Sequence, residues 1–286
     1  MRPAGGLAAL LEEQAAREGS AIACDAPDAT LTYEELRRRA SRLGEAIATI
    51  TPGADARVAY LGRNSASLLE AVFGAGYAGA AMCVLNWRHA ADELAFVLAD
   101  FKPQAVFVAE DMADLLRRAL EAMAGAASAP RVVVVDAQAA REGIAEGSRL
   151  GRAGFTPGAG PDVAIVMYTS GTTGRPKGAL LSHGALAGWG TRSGEGYGMD
   201  ATSTVLCALP MFHVAGLSLA LTGLACGAGL IVTRQATAAT LLAALRDHAV
   251  THTLLVPTVV GDVLDLARTE ASDPPALDVL VFGGAP

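Results

Sequence analysis

Residues 168–178 read YTSGTTGRPKG, a stretch that combines glycines, hydroxyl side chains and one lysine without an acidic residue. Glycine adopts backbone conformations closed to other residues and lets the main chain approach a ligand closely. Four hydroxyl residues precede Lys177, which adds a compact positive charge. Because polyphosphate oxygens need many donors at close range, the stretch predicts a phosphate-binding loop. A polar hairpin turn would explain the glycines and Pro176, but not the hydroxyls and the lysine.

The spacing distinguishes this loop from the loop of P-loop NTPases. A Walker A loop reads G-x-x-x-x-G-K-[ST] and leads directly into a helix. Counting from Gly171, its second glycine would fall on Pro176, and Lys177 is followed by Gly178. Residues 178–181 read GALL, which is typical of a second short strand. The sequence therefore predicts a strand, the loop and a second strand.

The same stretch resembles the phosphate-binding signature of the adenylate-forming superfamily, which includes acyl-CoA synthetases, luciferases and peptide-synthetase adenylation domains. Further segments resemble blocks of that family in order and spacing. They are LNWR at 85–88 with DEL at 92–94, LPMFHVAG at 209–216, and GGAP at 283–286. The resemblance covers essentially the whole chain, and its main loop is highly specific.

This resemblance implies an α/β fold made of two stacked alternating α/β subdomains, at about residues 1–160 and 161–286, within one AMP-binding N-terminal domain. The family continues with a Thr-Glu motif, the rest of a β-barrel part, a hinge and a C-terminal lid domain, whereas this sequence stops at Pro286. We therefore expect the front portion of a larger enzyme, whose isolated chain adenylates weakly or not at all. The alternative is a non-catalytic remnant that binds a nucleotide or an acyl group.

The resemblance also implies the site residues. Lys177 and His213 are the predicted catalytic residues, and Thr169 is the predicted Mg²⁺ ligand. The predicted nucleotide-binding residues are Thr169, Ser170, Gly171, Thr172, Thr173, Gly174, Lys177, Gly283, Gly284, Ala285 and Pro286. Without its motif, a lone histidine such as His213 is more often structural, and 283–286 could equally be an ordinary glycine turn. We expect the remaining histidines, His89, His183, His248 and His252, to be structural or exposed.

The implied reaction joins a carboxylic acid to CoA and uses ATP, with Mg²⁺ as cofactor. The carboxylate attacks the α-phosphorus of ATP, which gives an acyl-adenylate and pyrophosphate, and the CoA thiol then displaces AMP. A fatty acid is the default substrate, because fatty-acyl ligases resemble this sequence most. The apolar segments 213–221 and 254–260 either line an acyl or aryl pocket or belong to the core.

Composition limits the possible partners and compartments. The chain has 286 residues and a formal charge of −7, and its lack of a basic tract argues against a nucleic-acid partner. Its four cysteines lie in apolar runs at least 19 residues apart, which favours buried thiols in a reducing cytoplasm over zinc or redox pairs. Residues 214–232 lack charge over a length that could span a membrane, but four glycines favour a helix, a turn and a strand instead. We expect no integral membrane association, and the oligomeric state stays open.

Local signals predict the elements. A capping box from Thr32 to Glu35 opens a helix that ends near Ile50. Short continuous apolar strands alternate with helices from residue 57 to 136, which is typical of a parallel sheet covered on both faces. Residues 137–161 lose this periodicity and predict a surface connection. A second alternating unit follows, in which Ser182 caps a helix that ends near Thr191.

Overall fold

The computed structural model describes residues 6–53, 55–123, 129–148, 162–169, 175–270 and 277–283. Within these ranges the chain forms two six-stranded sheets and eleven α-helices. The strands are β1 (Ile22–Asp25), β2 (Thr30–Thr32), β3 (Arg57–Leu61), β4 (Ala81–Leu85), β5 (Ala105–Ala109), β6 (Arg131–Val135), β7 (Val163–Thr169), β8 (Lys177–Ser182), β9 (Thr204–Cys207), β10 (Gly229–Val232), β11 (His252–Leu255) and β12 (Val279–Phe282). The helices are α1 (Gly6–Glu18), α2 (Tyr33–Ile50), α3 (Ala66–Ala78), α4 (Ala91–Phe101), α5 (Ala113–Ala122), α6 (Ala137–Glu142), α7 (Ile144–Gly147), α8 (His183–Tyr197), α9 (Val214–Ala225), α10 (Ala238–Asp247) and α11 (Pro257–Thr269).

Each sheet is parallel except for one edge strand. Sheet I has the order β6-β5-β3-β4-β7-β8, and only β8 runs antiparallel to its neighbour. Sheet II has the order β12-β11-β9-β10-β1-β2, and only β2 runs antiparallel. The sequence prediction of alternating α/β units is confirmed. Strands β1 and β2 nevertheless join sheet II, and β7 and β8 join sheet I, so the sheets cut across the subdomain boundary predicted near residue 160, which itself lies outside the described residues.

The helices form layers on and between the two sheets. The largest core cluster joins side chains of both sheets, such as Val58 and Val205, with those of α1, α2, α3 and α9. A second cluster lies between sheet I and helices α4 and α5, and a third lies between sheet II and helices α10 and α11. Strand β4 is buried along its whole length, as its continuous run of apolar residues predicts.

Several local predictions are confirmed. The Thr32 hydroxyl accepts the Glu35 N–H at 3.2 Å, and the Glu35 carboxylate accepts the Thr32 N–H at 2.9 Å. This capping box opens α2, which ends at Ile50 as predicted. The charge-free stretch at 214–232 divides into α9, a turn at Gly227 with φ of +80°, and β10. Among the described residues, no helix has both the length and the apolarity that crossing a bilayer requires.

Two local predictions are wrong. Helix α8 is capped by Ser182 as expected but continues to Tyr197, beyond the predicted end near Thr191. Residues 137–147 form α6 and α7 and are not an irregular connection. The Asp136 carboxylate caps α6 by accepting the N–H groups of residues 138 and 139, both at 2.9 Å. Ile144 is fully buried in the main core, so tertiary packing stabilises these short helices.

Candidate functional site

Strands β7 and β8 form the hairpin that carries the predicted phosphate loop. In its register Thr169 lies opposite Lys177, and Tyr168 lies opposite Gly178. The two strands predicted on either side of the loop are therefore confirmed, and the two ends of the motif are cross-strand neighbours. Five of the predicted phosphate-binding residues lie outside the described residues. They are Ser170, Gly171, Thr172, Thr173 and Gly174.

The two strands of this hairpin differ in exposure. Strand β7 is central and apolar, and Ile165 is fully buried. Strand β8 is the edge of sheet I, and its residues from Lys177 to Leu180 are all exposed. Within the described chain, the Lys177 ammonium forms no ion pair with a carboxylate. Lys177 is exposed on the edge strand, where an anionic ligand can reach it.

The parallel strands bring chemical groups to one edge of each sheet, because their carboxyl ends coincide. Sheet I carries residues 62–65 after β3 and residues 86–88 after β4 at this edge. Sheet II carries residues 208–213 after β9, residues 233–237 after β10 and Gly283 after β12. Ligands of open α/β sheets collect at such carboxyl ends. Here the carboxyl ends of both sheets face a single cavity.

We call this space the His213 cavity; its volume is about 640 Å³. Its lining comprises Arg63, Asn64, Trp87, Arg88, Ala208, Leu209, Pro210, His213, Ala215, Arg234, Gln235, Ala236, Thr237, Val256, Val259 and Gly283. His213 and Gly283, two of the predicted site residues, thus share one cavity. Thr169 and Lys177 do not line it, although β7 lies beside β4, whose following residues do. Gly284, Ala285 and Pro286 lie outside the described residues.

Asn64 fixes the segment that leads to His213. Its side-chain amide donates to the Leu209 carbonyl at 2.9 Å, and its side-chain oxygen accepts the Met211 N–H at 2.9 Å. The His213 N–H donates to the Pro210 carbonyl at 3.0 Å, which closes the turn before α9. Asn64 follows β3, so these bonds tie sheet I to sheet II at the cavity. The sequence reasoning missed Asn64, whose only signal is its position just after a buried strand.

The backbone at Gly216 lies close to the Pro210 carbonyl group of this turn. A Cβ atom at this position would lie 2.4 Å from the Pro210 carbonyl oxygen, a distance too short for a Cβ atom to adopt without a shift of the backbone. The glycine of the HVAG segment therefore lets α9 begin directly against the turn. After Ala215, helix α9 packs in the core, where Leu217 and Leu221 are buried. Only the start of the segment 213–221 lines the cavity, and the rest is core.

The His213 imidazole lies beside the Phe212 ring and near the Arg88 cation. Burial lowers the pKa of His213 below its usual value, and the nearby charges of Arg88 and His89 lower it further. The ring is therefore neutral at pH 7 and keeps one N–H donor and one acceptor. The Phe212 ring lies 4.3 Å from the His213 ring, centroid to centroid, and meets the Trp87 ring edge-on at 6.0 Å.

Three arginines line the cavity, and its described lining contains no carboxylate. The guanidinium carbons of Arg63 and Arg88 lie 4.3 and 4.9 Å from the Trp87 ring centroid. Arg63 and Arg234 both pair with Asp111 outside the lining, at 3.7 and 2.9 Å. This excess of positive charge favours an anionic ligand, although the whole chain is acidic. The sequence analysis missed Arg63 and Arg234. Each stands two residues after the end of a strand, β3 or β10, and belongs to no recognisable motif.

Two of the other histidines have structural contacts. The Nδ1 of His183 accepts the Leu7 N–H at 3.4 Å, and burial lowers its pKa. The ring of His252 lies 2.7 Å from the Thr251 hydroxyl and 3.0 Å from the Tyr197 carbonyl oxygen. These contacts agree with the structural role expected of both.

Comparisons with known proteins agree with this architecture. Indoleacetate–CoA ligase from Aromatoleum aromaticum is 32% identical over 222 residues, which are 75% of this chain and 42% of that protein. Feruloyl-CoA synthase from an Amycolatopsis species is 32% identical over 257 residues, which are 90% of this chain and 50% of that protein. The chain thus spans about half the length of the curated relatives it matches.

A solved structure and a family model cover almost the entire chain. The inhibitor-bound N-terminal domain of FACL13 from Mycobacterium tuberculosis superposes with a TM-score of 0.81 at 25% identity, covering 99% of this chain and 70% of that one. The family model described as AMP-binding enzyme matches residues 11–286. Together with the hairpin and the cavity at the carboxyl ends of both sheets, this match means that the chain belongs to the family of AMP-binding enzymes.

Proposed function

We propose that this chain binds Mg·ATP and a carboxylic acid, and takes part in forming an acyl-adenylate and then a CoA thioester. The observation that supports this best is the shared lining of the His213 cavity, which joins the His213 and Gly283 blocks at the carboxyl ends of both sheets. The relatives named above are CoA ligases, and they are about twice as long as this chain. The activity of the whole protein is therefore part of the proposal.

The proposal assigns a role to each group. Lys177 and the loop hydroxyls from Thr169 to Thr173 hold the β- and γ-phosphates while pyrophosphate departs. The backbone of residues 283–286 receives the adenine ring. His213 lies near the reacting carboxylate, to which a neutral imidazole can donate one hydrogen bond. The acid and ATP are both anionic, so the arginines of the cavity favour their approach. Positioning and charge stabilisation supply the rate enhancement, since no covalent intermediate with the protein is needed.

The protein groups near the phosphate loop suit Mg²⁺ only when the phosphates of the nucleotide supply further ligands. Among the described residues, no three His, Cys, Asp or Glu side chains lie close enough to hold a metal ion. Mg²⁺ prefers hard oxygen ligands and is often held by substrate phosphates with few protein groups. The exposed hydroxyl of Thr169 fits as one such ligand. When bound, the ion would neutralise phosphate charge, while Lys177 orients the outer phosphates.

The acid in this proposal has an apolar body. Leu209, Ala215, Val256 and Val259 give the cavity apolar walls near His213. A fatty acid and an aromatic acid both suit such walls, and the curated relatives include ligases named for indoleacetate and a synthase named for feruloyl-CoA. The four free cysteines suit a reducing compartment, so we extend the proposal to the cytoplasm.

The substitution Lys177→Ala tests the role of the hairpin. Removing a charged hydrogen bond to phosphate should weaken Mg·ATP binding roughly tenfold or more, and AMP binding should be unchanged. Isothermal titration of the chain with Mg·ATP and with AMP measures both affinities. Arg17→Ala is the matched control, because Arg17 is an exposed cation on α1 that pairs with Glu13, away from the hairpin. Equal Mg·ATP affinities in wild type and Lys177→Ala would count against the proposal.

Two activity assays extend the same test. ATP–pyrophosphate exchange should be slower in Lys177→Ala than in the wild-type chain. Hydroxylamine traps an acyl-adenylate as a hydroxamate, so it reports the first half-reaction with any candidate acid. We expect the isolated chain to give little hydroxamate, and vigorous production would contradict that expectation while supporting the proposed reaction.

A further inference from the structure

Both ends of the predicted phosphate loop contact one face of helix α4. Tyr168 directly precedes Thr169, and its hydroxyl donates to the Asp100 carboxylate at 2.5 Å. Arg175 follows the loop, and its guanidinium carbon lies 5.8 Å from the centroid of the Phe96 ring. Phe96 and Asp100 are four residues apart, so they lie on the same side of α4. The helix therefore contacts the chain on both sides of the loop.

The Tyr168 ring is held from two further directions. It packs, together with Phe96, against the core cluster between sheet I and α4. Beside the ring, on the same face of sheet I, lies Gly178, its partner in the hairpin register. A Cβ atom at Gly178 would lie 3.3 Å from Cζ of Tyr168 and 3.1 Å from Cγ1 of Val166, so the glycine leaves room for the ring. This packing fixes where the Tyr168 hydroxyl can donate.

The Tyr168 hydroxyl remains the donor, and Asp100 the acceptor, of their hydrogen bond at physiological pH. Burial raises the pKa of Tyr168, and the Asp100 carboxylate raises it further. The phenol therefore stays protonated and remains the donor. Because the acceptor is a carboxylate, this bond is of the stronger, charge-assisted kind.

Helix α4 is a firm support for these contacts. Its inner face is buried through Leu94, Val97 and Leu98. At its start, the Glu93 carboxylate accepts the Ala90 N–H at 2.9 Å. The contacts with the hairpin come from its outer side chains, which the proposed mechanism does not use.

We propose that Asp100 and Phe96 are positioning residues, which hold the base of the hairpin on α4 so that Thr169 and Lys177 meet the outer phosphates of Mg·ATP. The inference rests on the function proposed above. Neither residue touches the nucleotide; they act through Tyr168 and Arg175. A phosphate site that is fixed before binding loses less freedom when the ligand arrives, and small displacements of such groups weaken binding strongly.

The substitutions Asp100→Ala and Tyr168→Phe remove the acceptor and the donor of the hydrogen bond in turn. We expect each to weaken Mg·ATP binding about fivefold, the lower end of typical coupling between two sites. AMP binding should be unchanged, because AMP lacks the β- and γ-phosphates. The double variant should bind Mg·ATP no more weakly than Asp100→Ala, because both changes remove the same bond. Asp100→Asn keeps an acceptor oxygen and should recover most of the affinity.

Asp114→Ala is the matched control. Asp114 is an exposed aspartate on α5 that accepts a hydrogen bond from Arg117 at 2.6 Å, so its loss removes a similar bond elsewhere. It should leave the affinities for Mg·ATP and AMP at their wild-type values. Phe96→Leu removes the ring beneath Arg175 but keeps an apolar side chain, and should lower the ratio of ATP affinity to AMP affinity.

The ratio of the two affinities separates the possible outcomes. If wild type binds Mg·ATP no better than AMP, the proposed function fails, and the positioning role fails with it. If wild type prefers Mg·ATP and Asp100→Ala and Tyr168→Phe keep that preference, only the positioning role is overturned. Equal weakening of ATP and AMP binding would indicate general loss of structure and would also overturn it. A selective loss for Mg·ATP, restored by Asp100→Asn, supports the inference.

Discussion

The β7–β8 hairpin and the α2–α3 helix pair are built in opposite ways. The helices meet at glycines, since a Cβ atom at Gly44 would lie 2.5 Å from the Tyr77 Cβ atom. Phe73 on α3 is fully buried, and even the charged residue Glu70 is 1% exposed. In the hairpin, by contrast, Leu180 is 67% exposed on an edge strand. The helix pair is densely packed, whereas the hairpin has one buried strand, β7, and one exposed edge strand, β8.

Because of this difference, we expect the helix pair to contribute mainly to stability and the exposed part of the hairpin mainly to binding. Dense packing gives the helix pair most of its free energy of folding, because buried apolar area is the dominant favourable contribution. The hairpin instead presents Lys177 to solvent, where its charge can reach a ligand. Substitutions in the helix pair should therefore change the free energy of unfolding, and substitution of the exposed Lys177 in the hairpin should change affinity.

The largest effect is expected for Phe73→Ala. Removing a fully buried phenyl ring leaves a cavity and should lower the free energy of unfolding by about 3–5 kcal/mol. Urea denaturation followed by circular dichroism measures this change. The fraction that remains folded should bind Mg·ATP with wild-type affinity, because α3 lies outside the hairpin. A loss below about 1 kcal/mol would mean that the α2–α3 interface repacks easily, which opposes the contrast drawn above.

A second effect is expected at Glu70, through pH. Burial raises the pKa of Glu70 to about 8, although its carboxylate accepts the Ile144 N–H at 2.7 Å. The folded state therefore holds a proton that the unfolded state releases near its usual pKa of 4.5. The stabilising contribution of this proton is full below pH 4.5 and is lost as pH rises through 8. Between these values the free energy of unfolding should fall by about 1.4 kcal/mol per pH unit.

Glu70→Gln removes this titration and keeps the shape of the side chain. The free energy of unfolding of Glu70→Gln relative to wild type should rise steadily when both are measured at pH 5.5, 6.5 and 7.5. Glu34→Gln is the control, because its hydrogen bond with Arg37 lowers the pKa of the exposed Glu34 carboxyl. Its effect should be constant over this range. A constant difference for Glu70→Gln as well would show that the buried carboxyl does not titrate there.

Elements with local signals could be predicted from the sequence, and elements that depend on distant contacts could not. The start of α2 needs only Thr32 and Glu35, three residues apart, and it lies where predicted. Helix α6 has a local cap at Asp136, which the sequence analysis missed, whereas α7 depends on contacts such as the hydrogen bond from Ile144 to Glu70, 74 residues apart. No pattern within residues 137–148 records that contact, so the segment reads as irregular.

The candidate site divides in the same way. The loop pattern points to Lys177, because glycines, hydroxyls and a lysine at fixed spacing carry their own chemistry. His213 is indicated only by the resemblance of residues 209–216 to a block of the family. The supporting residues carry no such pattern. Asn64 contacts Met211 across 147 residues, and Asp100 contacts Tyr168 across 68. These pairs come together only through the order of strands in the two sheets, so a single sequence does not reveal them.

The smallest effect is expected for Leu180→Thr, and it tests the contrast within the hairpin itself. Leu180 lies opposite Val166 in the register, and Val166 is only 4% exposed. Threonine retains strand propensity, so the exposed change should alter the free energy of unfolding by less than about 0.5 kcal/mol. Val166→Thr buries a hydroxyl and should cost about 1–3 kcal/mol. Urea denaturation of both variants compares the edge strand and the inner strand at one cross-strand pair. Equal losses would mean that another surface covers β8 in solution, and the hairpin would then belong with the packed helices in its response to substitution.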